Sequence, residues 1–154
     1  MANDHQVRAI TERILLGPFL TQVRAELLLS QEVTHVLNVS EAPSLPQVRA
    51  AGFASVLDEP IVDLQPIPVA KMTRCVDFLN EALSEPNGRV YVHCIAGQNR
   101  SPTIVWLYLM SCGMDRTEAK QLIENSAPDA IPGHPALIND AVIAAACLDD
   151  YDRE

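Results

Sequence analysis

The stretch RVYVHCIAGQNRSPTIVWLYLM, residues 89–110, constrains the fold more than any other part of this 154-residue chain. An apolar run, RVYVH (89–93), follows the turn residues EPNG (85–88) and has the length of a strand. After Arg100 the chain is apolar nearly all round, from Ile104 to Leu109, which suits a buried helix. Pro102 fits the first turn of that helix, where its missing N–H costs nothing, and Gly113 fits its end. Between strand and helix stand Cys94, Gly97, Gln98, Asn99 and Arg100, residues that a buried core does not need.

Other strand-like runs are RILLGP (13–18), THVLNVS (34–40) and FASVL (53–57). Val69, Met72, Val76, Leu79 and Leu83 recur at spacings of three and four, which predicts an amphipathic helix. Asp115 with Glu118 predicts a capped helix packed through Ala119, Leu122 and Ile123, and a last helix is expected from about Pro135 to Leu148. Strands alternating with helices imply an α/β domain with a largely parallel or mixed central sheet, most buried at 89–93. With no repeat or long linker, residues 1–154 are read as one domain.

A formal net charge of −9 argues against nucleic acid as a partner, because binding it needs a basic face. An anionic substrate therefore needs a local positive site that overcomes the overall field. Cys75, Cys94, Cys112 and Cys147 are widely spaced, which argues against a zinc site and against a disulfide framework. The opening MANDHQVRAITERI lacks the pattern of a secretory signal, and the apolar stretch Ile104–Met110 is too short to span a bilayer. The expected compartment is cytoplasmic, with no membrane partner. The oligomeric state is left open.

In parallel sheets ligands bind beyond the carboxyl ends of strands, where residues 94–100 lie in this reading. A helix N-terminus offers unpaired N–H groups and partial positive charge, and Gly97 lets the backbone approach a ligand. A thiol beside such a terminus and an Arg is expected to ionise at neutral pH, which makes Cys94 a candidate nucleophile. Arg100 carries a planar fork suited to two oxygens of one phosphate. Cys-x5-Arg alone is a weak signal, but His93, Gly97 and Ser101 in register make it specific.

HCIAGQNRS resembles the His-Cys-x5-Arg-Ser/Thr signature of cysteine-dependent protein tyrosine phosphatases, above all their small dual-specificity branch. ITERILLGPFLTQ, THVLNVS, GRVYVHC and SPTIVWLYLMSCGMDRTEA are similar to that branch's successive elements. The resemblance implies a central sheet of about five strands flanked by helices. It also implies hydrolysis of phosphotyrosine and phosphoserine/threonine through a phosphocysteine, without metal or cofactor. Cys94 would be the nucleophile, and the loop Ile95, Ala96, Gly97, Gln98, Asn99 and Arg100 the phosphate cradle. Ser101 would assist departure of the sulfur. The general acid is expected about thirty residues upstream; Asp63 stands 31 before Cys94, with Asp58 and Glu59, 36 and 35 before it, as fallbacks.

Plainer readings apply elsewhere. His93 and Asn38 are expected to support the loop by hydrogen bonds, and Cys75, Cys112 and Cys147 to be small core residues. Trp106 reads as core, and His5, His35 and His134 as ordinary histidines. Three other functions compete: a phosphate-binding module without turnover, a phosphoinositide phosphatase, and an RNA or nucleotide triphosphatase. The first usually lacks the nucleophile or the acid, and the second often has lysines in the loop, where CIAGQNR has none. Asn99 is shared with the third, yet that substrate calls for more cationic side chains than this chain carries. ENSAPDAIPGHPALI (124–138) offers only His134 where relatives place a basic residue, so preference for doubly phosphorylated or highly acidic peptides is not expected.

Overall fold

The computed structural model describes residues 6–152, with side chains as far as Cys147. His5 and the side chain of Leu148 lie outside the described residues. In chain order the elements are β1 (Arg8–Ala9), β2 (Ile14–Gly17), α1 (Gln22–Ser30), β3 (His35–Asn38), α2 (Pro46–Arg49) and β4 (Ser55–Asp58). There follow α3 (Val69–Ser84), β5 (Val90–His93), α4 (Arg100–Ser111), α5 (Arg116–Ser126) and α6 (Asp140–Asp152).

The strands form one mixed sheet in the order β1-β2-β5-β3-β4, parallel except where β1 pairs antiparallel with β2. Strand β5 is central and buried throughout, as β2 and β3 also are, so 89–93 is not set apart by burial. Period-two alternation divides the interior into two cores. Ile14, Leu16, Leu37, Val90 and Val92 face the helices α3 to α6, while Leu15, Val36 and Tyr91 face Ala25 and Leu28 of α1 and Val48 of α2. The whole of α4 is buried, with Trp106 4% exposed and its Nε1 donating to the Arg116 carbonyl at 3.0 Å. Gly113, at φ +96°, and the Met114 N–H bond to the Leu109 carbonyl end this helix. Asp115 caps α5 by accepting from the Thr117 and Glu118 N–H groups.

Three further expectations are corrected. The last helix begins at Asp140, not Pro135. His134–Leu137 forms a turn in which Leu137 N–H donates to the His134 carbonyl, and Asn139 Oδ1 accepts from Val142 N–H at the helix start. Cys112 and Cys147 are exposed, and only Cys75 is the core residue expected of all three. Helix α1, the short helix α2 and the short β1 have no counterpart in the sequence reading. The α1 segment QVRAELLLS buries only Ala25 and Leu28, too few for a visible stripe, and Thr21 caps its start.

Candidate active site

Asn38 and His93 are partners in the β3–β5 register, so both strands deliver their last residues to one edge of the sheet. The chain leaves β5 at His93, turns through 94–99 and enters α4 at Arg100. Gly97 holds φ +76°, and a Cβ there would stand 2.8 Å from the Gly17 carbonyl oxygen, so the loop lies directly on the end of β2. Two bonds pin it from outside: Phe19 N–H donates to the Ile95 carbonyl at 2.9 Å and Ile131 N–H to the Gln98 carbonyl at 2.7 Å. Asn99 occupies the N-cap position of α4 without a side-chain cap bond.

At the base of the loop Cys94 is 2% exposed, and its Sγ lies 3.4 Å from Ser101 Oγ. Arg100 is 7% exposed; its Nη1 donates to the Ile61 carbonyl at 3.0 Å, and its Nε has no hydrogen-bond partner. The guanidinium is thereby aimed by backbone from another segment and keeps donor capacity for an anion. That segment continues into Asp63, whose Oδ1 lies 3.9 Å from Arg100 Nε and accepts from the Leu64 N–H at 3.0 Å.

The other carboxylates near this edge are occupied. Burial pushes the Asp58 carboxyl up, but bonds from the Ser44 hydroxyl and N–H, Arg49 and Asn38 outweigh it and hold it below the usual range. Glu59 is gripped at both oxygens by Arg74, at 2.8 and 2.9 Å, with Lys71 at 3.6 Å, and its carboxyl is likewise held low. Carboxylates so saturated resist protonation, the state a general acid needs.

His93 and Asn38 are both 0% exposed. Burial lowers the His93 pKa to about 4, so the ring is neutral at physiological pH. Its Nδ1 lies 3.0 Å from the Cys94 carbonyl, which can only accept, so Nδ1 carries the proton. Phe19 packs edge-on against the ring at 5.3 Å. The Asn38 amide donates to the Ala42 carbonyl and to Asp58, while its oxygen accepts from the Ser40 N–H and hydroxyl. His93 thus bonds the first residue of the loop, whereas Asn38 ties residues 40–44 and Asp58 to the end of β3.

Four contributors escaped the sequence reading: the Ile61 carbonyl, Gly17 and the N–H groups of Phe19 and Ile131. A glycine followed by proline at a strand end marks Gly17 and Phe19 alone. Among the described residues no group of three or more His, Cys, Asp or Glu is placed to hold a metal, and no helix is long and apolar enough to cross a membrane.

Residues 14–136 match the family described as dual specificity phosphatase, catalytic domain. The chain is 32% identical over 133 residues to dual specificity protein phosphatase 1 of Arabidopsis thaliana, covering 84% of this chain and 65% of that protein. Against dual specificity protein phosphatase 15 of Homo sapiens the identity is 28% over 129 residues, covering 80% of this chain and 42% of that protein. The chain thus spans about two thirds or less of these relatives' length. The crystal structure of PTPMT1 in complex with PI(5)P superposes with a TM-score of 0.80 at 22% identity, covering 96% of this chain and 98% of that one. The shared fold and the match over 14–136 place this chain in the dual specificity phosphatase family, within the cysteine-dependent tyrosine phosphatase superfamily.

Proposed function

We propose that this chain hydrolyses phosphomonoesters of tyrosine and of serine or threonine in proteins, through a phosphocysteine intermediate. The observation that carries this reading is the convergence of Cys94, Ser101, Arg100 and Asp63 at one edge of the sheet. In the first step Cys94 sulfur attacks phosphorus in line and the ester P–O bond breaks. Arg100 and the N–H groups of residues 95–100 hold the three equatorial oxygens, whose charge they stabilise in the transition state. Asp63 delivers its proton to the departing oxygen. Water then attacks phosphorus, Asp63 takes the water's proton and the P–S bond breaks. A thiolate has no hydrogen, so Ser101 is the donor of their bond at that moment and eases the sulfur's departure.

Metal enters no step of this scheme, since Arg100 and the helix end supply the positive charge. The family membership supports a phosphoprotein substrate, and residues 1–154 act in this reading as one catalytic domain. A cytoplasmic site of action suits a chain with free, exposed Cys112 and Cys147. The test is hydrolysis of a small aryl phosphate in excess chelator. Wild type should turn it over, and Cys94→Ser should fall to background. Wild-type protein inert from about pH 5 to 8, the range in which such sites operate, contradicts the reading.

A further inference from the structure

Arg100 and Asp63 take their positions from one short segment: Ile61 aims the guanidinium through its carbonyl, and Asp63 follows two residues later. Whatever fixes that segment fixes both groups. On its inner side it is paired to the sheet, with the Glu59 N–H donating to the Asn38 carbonyl at 2.9 Å and the Ile61 N–H to the Val39 carbonyl at 3.2 Å. Among the described residues β4 is an edge strand, so no strand holds the outer side, and Pro60 has no N–H to donate. Beyond Ile61 packing contributes little, since Val62, Leu64, Gln65 and Pro66 are exposed. Leu64 nevertheless holds φ +60°, a left-handed turn that a leucine keeps only where its surroundings impose it. Downstream of that turn the Ile67 N–H meets the Leu137 carbonyl at 2.8 Å. Upstream the restraint comes from side chains of α3.

Lys71 and Arg74 stand three residues apart on α3, hence on one face of it. Arg74 lays its Nε and Nη2 on the two oxygens of Glu59, which is buried. Lys71 reaches further along the same segment: its Nζ donates to the Pro60 carbonyl and stands 3.6 Å from Glu59 Oε2. Helix α3 is itself fixed by Met72, Cys75, Val76 and Leu79 in the core. Lys71 thereby ties the peptide between Pro60 and Ile61 to a rigid body, one residue before the carbonyl that aims Arg100. Pro60 is exposed, so water can replace the amine at its carbonyl; the bond decides where the peptide stands more than how stable the fold is.

Building on the phosphatase reading above, we propose that Lys71 is a positioning residue for the reaction. Its bond to the Pro60 carbonyl, backed by the Arg74 grip on Glu59, holds residues 59–63 so that Asp63 meets the departing oxygen and Arg100 the phosphate. Lys71 acts through the backbone of Pro60 and Ile61 and transfers no proton itself.

The test measures kcat/KM for phenyl phosphate and for nitrophenyl phosphate in wild type, Lys71→Met and Asp63→Asn. Lys71→Met removes the amine, keeps most of the stem and leaves Glu59 in the fork of Arg74. A smaller folded fraction lowers both rates by one factor, so their ratio reads the placement of Asp63 and not stability. In Lys71→Met the loss should be about tenfold with phenyl phosphate and about threefold with nitrophenyl phosphate, part of what a misplacement of about 1 Å costs. The ratio should therefore move in the direction that Asp63→Asn moves it, and less far. An unchanged ratio in Lys71→Met, where Asp63→Asn shifts it, overturns the positioning role and leaves the phosphatase reading intact. A ratio unmoved in both variants overturns that role together with the assignment of Asp63. Wild-type protein inert toward both phosphates overturns the phosphatase reading itself, and the role of Lys71 with it.

Discussion

Asp58 and Asp63 lie five residues apart, and spacing from Cys94 admits either as a general acid. Their surroundings separate them. Asp58 closes β4 with bonds to Ser44, Arg49 and Asn38, a saturated group that ties two loops to the sheet. Asp63 stands in the turn beyond, with a side chain 38% exposed, one local N–H bond and Arg100 at 3.9 Å. A carboxylate whose lone pairs are all in use contributes to stability; one with capacity to spare is able to exchange a proton. The same contrast holds between Glu59, held by Arg74 and Lys71, and the Arg100 Nε, which has no hydrogen-bond partner.

Arg100 is aimed by the segment that carries Asp63, so it offers the largest break. Arg100→Lys keeps the charge but loses the fork, and the bond to Ile61 with it; kcat/KM for an aryl phosphate should fall about 10³-fold. A circular dichroism melt should show that the protein remains folded. Loss under tenfold would mean that the guanidinium does not hold the phosphate.

Asp58→Asn should act on stability instead. An amide turns donors toward the Ser44 N–H and Arg49, and about 2 kcal/mol should be lost in urea unfolding. A variant as stable as wild type would remove the distinction drawn between the two aspartates.

The smallest effect is a pH dependence. His93 folds with its pKa lowered to about 4 from an ordinary 6.5, so between these values the unfolded chain binds a proton that the folded one refuses. Stability therefore falls as pH drops, by about 1 kcal/mol from pH 6.5 to 5.5. His93→Asn should flatten that slope in parallel urea titrations, and an unchanged slope would assign it to other groups.

Much of this arrangement was legible in the sequence because it is local. Cys94, Gly97, Arg100 and Ser101 lie within eight residues, and a strand before and a helix after fix their edge of the sheet. The helix α3 was legible from its apolar spacing, and the ends of α4 and α5 from Gly113 and Asp115. Contacts between distant segments were not. Nothing in the sequence indicates that the Ile61 carbonyl meets Arg100, or that Ser44 and Arg49 consume Asp58. Likewise Cys112 and Cys147 face solvent because of how α4 ends and α6 lies, which composition does not reveal.

The division of labour between the two aspartates is tested most directly by leaving-group dependence. In the proposed scheme kcat/KM reports phosphoryl transfer to Cys94, a step in which protonation matters most when the departing oxygen is basic. Asp63→Asn should cost about 10²-fold with an unactivated phenyl or alkyl phosphate and far less with a nitrophenyl phosphate, while Asp58→Asn should follow wild type across the series. An equal loss with every leaving group in Asp63→Asn, or a steep dependence appearing in Asp58→Asn, would contradict the account.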